Sequence, residues 1–227
     1  MVPLRDSVPS GRFPWVTVAL IAANLYIFVR QWLLPPEAAQ ALIAQWGVIP
    51  ARVDEAWRAG ALADPAALAT LLTATFLHGG WLHVLGNMLF LWVFGDNIEA
   101  RLGSVRYLAF YLAAGVTGNV AHVLANPGSM VPAIGASGAV AGVLGAYLVL
   151  YPRSRVRTLL FLGIFITVIE VPALLLLLYW FLVQLVNGLA AVSMPGVATV
   201  AYWAHVGGFA LGVVVARLLP RPSWRGW

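Results

Sequence analysis

The feature that most constrains this chain is a series of apolar runs, each long enough to enter the hydrocarbon core of a membrane. A helix needs about 20 apolar residues to cross roughly 30 Å of hydrocarbon. The chain is 62% hydrophobic and 9% charged, whereas a soluble domain carries about 25% charged residues. We therefore predict an all-α polytopic membrane protein that forms one domain over residues 1–227. The six predicted spans are 15–34, 79–97, 105–125, 135–151, 158–182 and 200–219.

A long connection, residues 35–77, separates the first two spans and differs from them in composition. It contains half of the chain's 8 acidic residues. Trp46 and Trp57 within it are of the type that occupies the headgroup zone of a membrane. We therefore expect this connection to form a large interfacial loop.

The arginines indicate how the chain is oriented. All 13 basic residues are arginine, and most of them fall on one side of the predicted spans. Those arginines are Arg5, Arg12, Arg101, Arg106, Arg153, Arg155, Arg157, Arg217, Arg221 and Arg225. Because basic residues stay in cytoplasmic loops, we predict that both termini are cytoplasmic. Arginine without lysine and abundant alanine are typical of a GC-rich bacterial genome, so we expect an integral protein of a bacterial inner membrane.

The fourth span is short and begins beside a serine. Ser137 to Tyr151 is 15 residues, or about 22 Å of helix at 1.5 Å per residue. The arginines after Tyr151 fix the cytoplasmic end, so Ser137 is predicted below the outer surface. Non-helical backbone at that depth is tolerated only beside protein or water, which favours a wet cavity. The alternative is that Ser137 only packs against or caps a helix.

The sixth span carries a polar residue at a matching depth. His205 shares a helical face with Gly208 and Gly212, and in span four Ser137 shares a face with Ala141 and Gly145. Faces of small residues let helices approach closely, so we expect the hydroxyl and the imidazole within hydrogen-bond reach. A neutral imidazole could then take the serine proton and create a nucleophile. A histidine that is only hydrogen-bonded structurally remains the alternative.

Span two opens with a third polar group. His83 and Asn87 are four residues apart on one face, and His78 precedes the helix. A serine that attacks a carbonyl creates an oxyanion, which needs fixed donors. The Asn87 amide, a His83 N–H and the Ser137 backbone N–H could supply them. The alternative is a hydrogen-bond network that only holds spans two, four and six together.

These motifs, taken in order, resemble the rhomboid family of intramembrane serine proteases. The matching stretches are Gly135-Ala136-Ser137-Gly138, Ala204-His205 with Gly208 and Gly212, His83 with Asn87, and Glu99-Ala100-Arg101-Leu102-Gly103. The resemblance extends from span one to span six. It implies a six-helix rhomboid-like bundle with a short, submerged fourth helix.

The resemblance also assigns roles to individual residues. It implies that Ser137 is the nucleophile and His205 the general base, without a third acidic group. His83 and Asn87 match the oxyanion-stabilising positions, together with the Ser137 N–H. His78 matches a residue that supports the loop before span two.

Further positions match residues with a structural role in the family. Glu99 and Arg101 match a pair that ties the cytoplasmic turn, although a solvated ion pair of little energetic value is the alternative. Gly138, Gly208 and Gly212 match glycines that support the site.

Two positions depart from the family pattern. Ala69 and Thr70 stand where members often have Trp-Arg in the first loop. Ala141 stands where some members carry an aromatic that stacks on the catalytic histidine. The sequence alone leaves open what orients the His205 ring, with Tyr202 and Trp203 as unassigned candidates.

The resemblance implies a serine endopeptidase that cleaves single-span or polytopic membrane proteins near the extracytoplasmic boundary of the bilayer. We expect no cofactor, no metal and no nucleic-acid partner, and the oligomeric state stays open. Substrate entry from lipid would involve movement of span five or of the loop 190–199. The main alternative is a catalytically inactive rhomboid-like protein that binds membrane clients. A transporter is less favoured because internal repeats are missing, and a metalloprotease because His-Glu-x-x-His is missing.

Two ionisable residues are not absorbed by this interpretation. Glu170 falls within the predicted fifth span, where a carboxyl is costly unless protonated or paired. We expect it to cap backbone groups freed by Pro172 or to lie near the inner boundary. His122 in span three is expected to have a packing or hydrogen-bonding role.

Overall fold

The computed structural model of the protein describes residues 1–60, 64–162, 165–193 and 200–220. The predicted loop segment 194–199, Arg221 and Arg225 therefore lie outside the described residues. The helices are α1 Trp15–Trp32, α2 Pro36–Trp46, α3 Pro50–Arg58, α4 Pro65–Thr73, α5 Trp81–Leu102, α6 Ser104–Ala125, α7 Ser137–Leu150, α8 Ala173–Ser193 and α9 Tyr202–Leu218. A single 3-10 turn, Ala74–Phe76, follows α4.

Helix α7 lies at the centre of a helical bundle. Most of its residues are buried, and it packs against α5, α6 and α9. Large buried side chains here include Tyr147 of α7 itself, Phe94 of α5 and Tyr107 of α6. The predicted helical membrane bundle is thereby confirmed. Helix α7, which is shorter than α5, α6 and α9, is enclosed by these neighbours.

The lengths of the helices divide them into two groups. By length and hydropathy, α1, α6 and α8 are able to span a membrane, as is α5 when taken with the bent segment Pro65–Phe76 before it. Helices α7 and α9 are apolar but shorter, at 14 and 17 residues. At 1.5 Å per residue α7 is about 21 Å long, as short as the sequence predicted.

The first loop is a folded layer made of α2, α3 and α4. A β-bridge joins Val48 to Ala133, and the Asn119 amide donates to the Leu71 carbonyl at 2.8 Å. These contacts tie the loop to the α6–α7 connection and to α6. The loop is therefore anchored without the Trp-Arg pair that is missing at Ala69 and Thr70.

The predicted fifth span, 158–182, is wrong in its first half. The chain forms the antiparallel strands β2, Arg155–Leu162, and β3, Phe165–Pro172, and β2 also pairs with β1, Val2–Asp6. The helix that follows, α8, starts only at Ala173. The region 155–172 is rich in β-branched residues, which favour strands, and hydropathy alone does not distinguish an apolar strand from an apolar helix.

The position of Glu170 changes with this correction. It lies on β3, exposed, and opposite Arg157 of β2 in the register of the sheet. It neither lies inside a membrane helix nor precedes Pro172 within one. The expected cap on backbone groups freed by Pro172 inside a helix is therefore wrong, because Pro172 ends a strand.

The sheet is fastened to the helices through Asp6. The Asn97 amide donates to the Asp6 carboxylate at 2.8 Å, and the Tyr147 hydroxyl donates to the same oxygen. Burial raises the pKa of Asp6 from its ordinary 3.8 to about 6, although the bond from Tyr147 opposes this shift. Strand β1 is thus held against α5 and α7 at the end of the bundle opposite Ser137.

Candidate active site

Close packing of α7 against α9 brings the predicted dyad together. A Cβ atom on Gly208 would strike the Gly138 carbonyl, and one on Gly212 would strike the Gly142 carbonyl. Any larger residue at these two positions of α9 would push the helices apart. The predicted face of α9 is therefore in contact with α7, but on α7 these contacts are made by Gly138 and Gly142, each one residue after the predicted Ser137 and Ala141.

Ser137 and His205 meet at the start of their helices. Ser137 is the first residue of α7, and His205 lies in the first turn of α9. The Ser137 Oγ lies 2.8 Å from His205 Nε2, within normal hydrogen-bond distance. His205 is only 8% exposed, so the pair is held mainly by protein.

The pair opens onto a cavity of about 940 Å³. Its wall includes the side chains predicted to stabilise an oxyanion, His83 and Asn87, as well as Ser137 and His205. The cavity is large enough for a peptide segment, since typical ligand sites measure about 300–1,000 Å³. Residues from α5, α7 and α9 thus converge on one space.

Asn87 lines this cavity and carries a buried donor that is unused. It is 9% exposed, and its Nδ2 has no hydrogen-bond partner among the described residues. A buried amide without a partner is costly unless a ligand completes it. An oxygen bound in the cavity would supply that acceptor.

His83 is oriented as a second donor. The Gly79 N–H points to His83 Nδ1 at 3.4 Å, which leaves the ring proton on Nε2. A Cβ on Gly135 would lie 2.7 Å from that Nε2 and 3.6 Å from Ser137 Oγ. The His83 Nε2 and the Ser137 hydroxyl therefore both lie close to Gly135, whose φ of +130° also favours glycine.

His78 contacts the nucleophile's loop rather than only its own. The Ala136 N–H donates to His78 Nε2 at 3.4 Å, directly before Ser137. Gln31 of α1 holds His78 in turn, donating to its carbonyl at 2.6 Å and accepting from its N–H at 3.3 Å. The expected supporting role thus extends to the segment that enters α7.

Glu99 and Arg101 do not pair with each other. The Glu99 carboxylate is 3% exposed and accepts from the N–H groups of Val16 and Thr17 at 2.9 and 2.8 Å. It therefore caps the start of α1, where a negative charge is favourable. Arg101 donates instead to the Pro220 carbonyl after α9. The two side chains therefore form no ion pair with each other, and each contacts a different segment of the chain.

Sequence reasoning missed Gln184. Its Oε1 lies 2.8 Å from His205 Nδ1, so it contacts the ring nitrogen that Ser137 does not use. Trp180, one turn earlier on α8, places its ring 5.7 Å from the imidazole. An amide four residues after a tryptophan in an apolar run was the available signal, but the predicted span five ended at residue 182, before Gln184.

The other candidates occupy the rim or wall of the cavity. Tyr202 contacts the His205 ring edge-on at 6.3 Å, and Trp203 lines the cavity. His122 also lines it and contacts Asn126 through that residue's amide, which donates to the His122 carbonyl at 2.9 Å. Within the described residues, no group of three His, Cys, Asp or Glu side chains is placed to hold a metal ion.

Comparison with known proteins gives consistent matches. A family model described as the Rhomboid domain matches residues 65–222. Rhomboid protease GluP of Bacillus subtilis is 43% identical over 99 residues, which cover 44% of this chain and 19% of that protein. RHOMBOID-like protein 4 of Arabidopsis thaliana is 33% identical over 175 residues, covering 77% of this chain and 36% of the relative.

A third relative extends the match along almost the whole chain. RHOMBOID-like protein 1 of Arabidopsis thaliana is 28% identical over 235 residues, covering 93% of this chain and 55% of its own length. The chain thus spans only part of each of these relatives. The family model nevertheless runs from α4 past α9 and includes both members of the dyad. This chain belongs to the rhomboid family.

Proposed function

We propose that this chain is an intramembrane serine endopeptidase with Ser137 as nucleophile and His205 as general base. The hydrogen bond of 2.8 Å between Ser137 Oγ and His205 Nε2, facing a cavity, is the observation that carries the proposal. Family membership and the similarity to a protein named a rhomboid protease support it.

The proposed reaction is hydrolysis of a peptide bond through an acyl-enzyme. Ser137 Oγ attacks the carbonyl carbon while its proton passes to His205 Nε2. His205 then gives this proton to the leaving amine as the carbon–nitrogen bond breaks. A water molecule, deprotonated by the same imidazole, attacks the ester and releases the carboxylic acid and the free serine.

The oxyanion of each tetrahedral intermediate would face three donors. These are the Asn87 amide, the His83 Nε2–H and the Ser137 backbone N–H at the start of α7, where N–H groups lack intrahelical acceptors. Fixed donors of this kind act where charge develops and need no reorganisation. The uncompensated amide of Asn87 supports this role.

We further propose that the substrates are single-span or polytopic membrane proteins that enter from lipid beside α8. Exposed leucines and Tyr179 cover the outer face of this helix. A substrate helix must unwind before attack because its peptide groups are hydrogen-bonded internally, so helix-breaking residues would favour cleavage. With cytoplasmic termini, the cut would lie near the extracytoplasmic boundary of a bacterial inner membrane.

Labelling with a small fluorophosphonate tests the proposal directly. Such a probe reacts covalently with an activated serine, so we expect wild-type protein to be labelled and Ser137→Ala to lose the label. Ser129→Ala is the matched control, because Ser129 lines the same cavity but its hydroxyl accepts from the Val131 N–H. Loss of label in the control as well, or label retained by Ser137→Ala, would place the reactive group elsewhere.

Labelling and two further measurements separate the alternatives and identify substrates. A wild-type protein that folds but takes no label would favour a catalytically inactive protein that binds membrane clients. Loss of activity on adding a chelator would favour a metalloprotease. Comparison of fragments shed from membranes that contain wild type or Ser137→Ala would then identify substrates.

A further inference from the structure

The two ring nitrogens of His205 contact different helices. Nε2 faces Ser137 on α7, and Nδ1 lies 2.8 Å from Gln184 Oε1 on α8. Trp180, also on α8, lies against the ring with an interplanar angle of 33°. The supports of the imidazole thus come from a helix that carries neither member of the dyad.

We propose that Gln184 is a positioning residue that fixes the tautomer of His205 and makes the dyad depend on the position of α8. The inference rests on the proposed function and deepens it. A neutral imidazole carries its single proton on one nitrogen. An amide oxygen at Nδ1 requires the proton there, which leaves the Nε2 lone pair free to accept from Ser137.

An amide suits this position better than a carboxylate. In soluble serine proteases a buried carboxylate holds the histidine and stabilises the imidazolium. Within a membrane protein a carboxylate at this depth is costly. The Gln184 carbonyl orients the ring and stabilises the imidazolium through its dipole, without introducing a buried charge.

Ala141 explains why the support must come from α8. Its side chain, one turn after Ser137, is a single methyl group and is fully buried. The ring is instead enclosed by Trp180 and Gln184, which are one turn apart on α8. Phe181 stacks on Phe209 of α9 with ring centroids 4.5 Å apart, and this contact fixes the position of α8 along α9.

The titratable groups around His205 leave the neutral amide of Gln184 as the acceptor that orients the imidazole ring. The titratable neighbours are His83 of α5, His122 of α6 and Tyr202 of α9. The described residues that line the cavity include no Asp, Glu or Arg. Among those residues, then, no charged side chain orients the imidazole in place of Gln184.

A displacement of α8 toward lipid would withdraw Gln184 and Trp180 together. The imidazole would lose its acceptor and its stacking partner, and the serine would lose an oriented base. Opening of the cavity and reactivity of the dyad are therefore coupled. Full reactivity returns only when α8 lies against α9 again.

The rate of fluorophosphonate labelling between about pH 5 and about pH 9 tests this inference. Gln184→Leu keeps the volume but removes the acceptor, and we expect labelling about tenfold to a hundredfold slower. Gln184→Glu restores an acceptor, and we expect recovery of the rate with the acid limb of the profile moved to higher pH. With a transmembrane substrate, Gln184→Leu should lower kcat and leave KM nearly unchanged.

Asn187→Leu is the matched control, since this amide lies one turn further along α8 and outside the hydrogen bonds of His205 within the described residues. It should label at the wild-type rate. Gln184→Met repeats the measurement if Gln184→Leu loses its thermal unfolding transition. Wild-type rates and pH profiles in Gln184→Leu or Gln184→Met would overturn the inference while leaving the proposed function intact. Absence of label in wild type would instead overturn the proposed function.

Discussion

At the scale of single residues, the site is defined by which nitrogen of each histidine is bonded. His83 Nδ1 accepts from the Gly79 N–H, and His78 Nε2 accepts from the backbone N–H next to Ser137. His205 Nδ1 faces Gln184. In each ring a neighbour determines whether one nitrogen donates or accepts a hydrogen bond. Because a neutral ring carries a single proton, this also determines the role of the other nitrogen.

Replacement of Asn87 should separate catalysis from folding. We expect Asn87→Ala to lower turnover about 10²- to 10³-fold with little change in KM, because one oxyanion donor is lost. Its melting temperature in detergent should not fall, since the Nδ2 has no partner among the described residues. Turnover and thermal unfolding of the purified protein measure the two effects.

Asn119→Ala provides the opposite control. Its amide donates to the Leu71 carbonyl, so its removal leaves a buried carbonyl unpaired and should lower the melting temperature. Turnover at a temperature where it stays folded should remain near wild type. An Asn87→Ala protein with normal turnover would argue against the assigned oxyanion donor.

Asp6 should make stability depend on pH. Burial raises the pKa of Asp6 to about 6, above the ordinary 3.8, so the folded state binds its proton more tightly than the unfolded state. This contribution is complete below about pH 4 and is lost as the pH rises through about 6. The melting temperature of the wild type should therefore fall as the pH rises over that interval, and Asp6→Asn should reduce this dependence on pH. An identical pH profile in Asp6→Asn would show that another group is responsible.

At the scale of elements, the pair α7 and α9 forms the frame of the dyad. Their backbones touch at Gly208 with Gly138 and at Gly212 with Gly142. This contact sets the distance between Ser137 and His205, which are each near the first turn of their helices. The spacing of small residues therefore acts on chemistry as well as on packing.

Gly212→Ala should damage both stability and reactivity. The added methyl would strike the Gly142 carbonyl, and overpacking of this kind costs about 1–3 kcal/mol. We expect a lower melting temperature and slower fluorophosphonate labelling. Gly86→Ala on α5 is the control, because a Cβ there meets no described atom within 4 Å. Equal behaviour of the two variants would mean that the close approach of α7 and α9 is unimportant.

A disulfide between α8 and α9 should separate access from chemistry. A Cβ on Gly188 would lie 3.3 Å from the Tyr202 Cβ, close to the roughly 3.5–4.5 Å of a disulfide. Oxidised Gly188→Cys/Tyr202→Cys should keep its labelling by the small probe but cleave a transmembrane substrate about tenfold more slowly or worse. Cleavage should return on reduction to the level of the unbonded protein. Equal cleavage in the oxidised and reduced forms would show that substrate entry does not need α8 to move.

At the scale of the whole molecule, the two ends of the bundle differ in chemistry. One end holds the cavity with Ser137 and His205, at the start of α7 and α9. The other end holds the three-stranded sheet, where Arg5 of β1 lies beside Arg157 of β2. Arg5 and Arg157 thus lie at the end remote from the cavity, which is the side that the predicted orientation assigns to the cytoplasm.

Single cysteines should reveal this orientation, because the chain has none of its own. Met130 lies near the cavity end and is 67% exposed, while Arg12 is exposed near the N-terminus. A membrane-impermeant maleimide should label Met130→Cys in intact spheroplasts and Arg12→Cys only after permeabilisation. The reverse result would put the cavity on the cytoplasmic side and would change the class of peptide bonds it reaches.

The sequence alone determined the helical membrane bundle, the short α7 and the approach of Ser137 to His205. Each depends on a local regularity: apolar length for the spans, and small residues at helical spacing for the close faces. Such patterns fix which face of a helix is buried. They do not require knowledge of which distant residue lies opposite.

Only the tertiary structure decided the sheet, the cap of α1 and the partner of His205. Most of β2 and β3 is apolar enough to be mistaken for part of a span, and β1, which pairs with β2, lies about 150 residues away in the chain. Glu99 finds its partners in α1, and Gln184 reaches His205 from α8. Hydrogen bonds of this kind between remote segments produce no periodic pattern in the sequence, because each needs only one residue at one position. Local pattern therefore predicts Ser137 as the nucleophile, whereas only the packing of the helices shows which residue contacts the second nitrogen of His205.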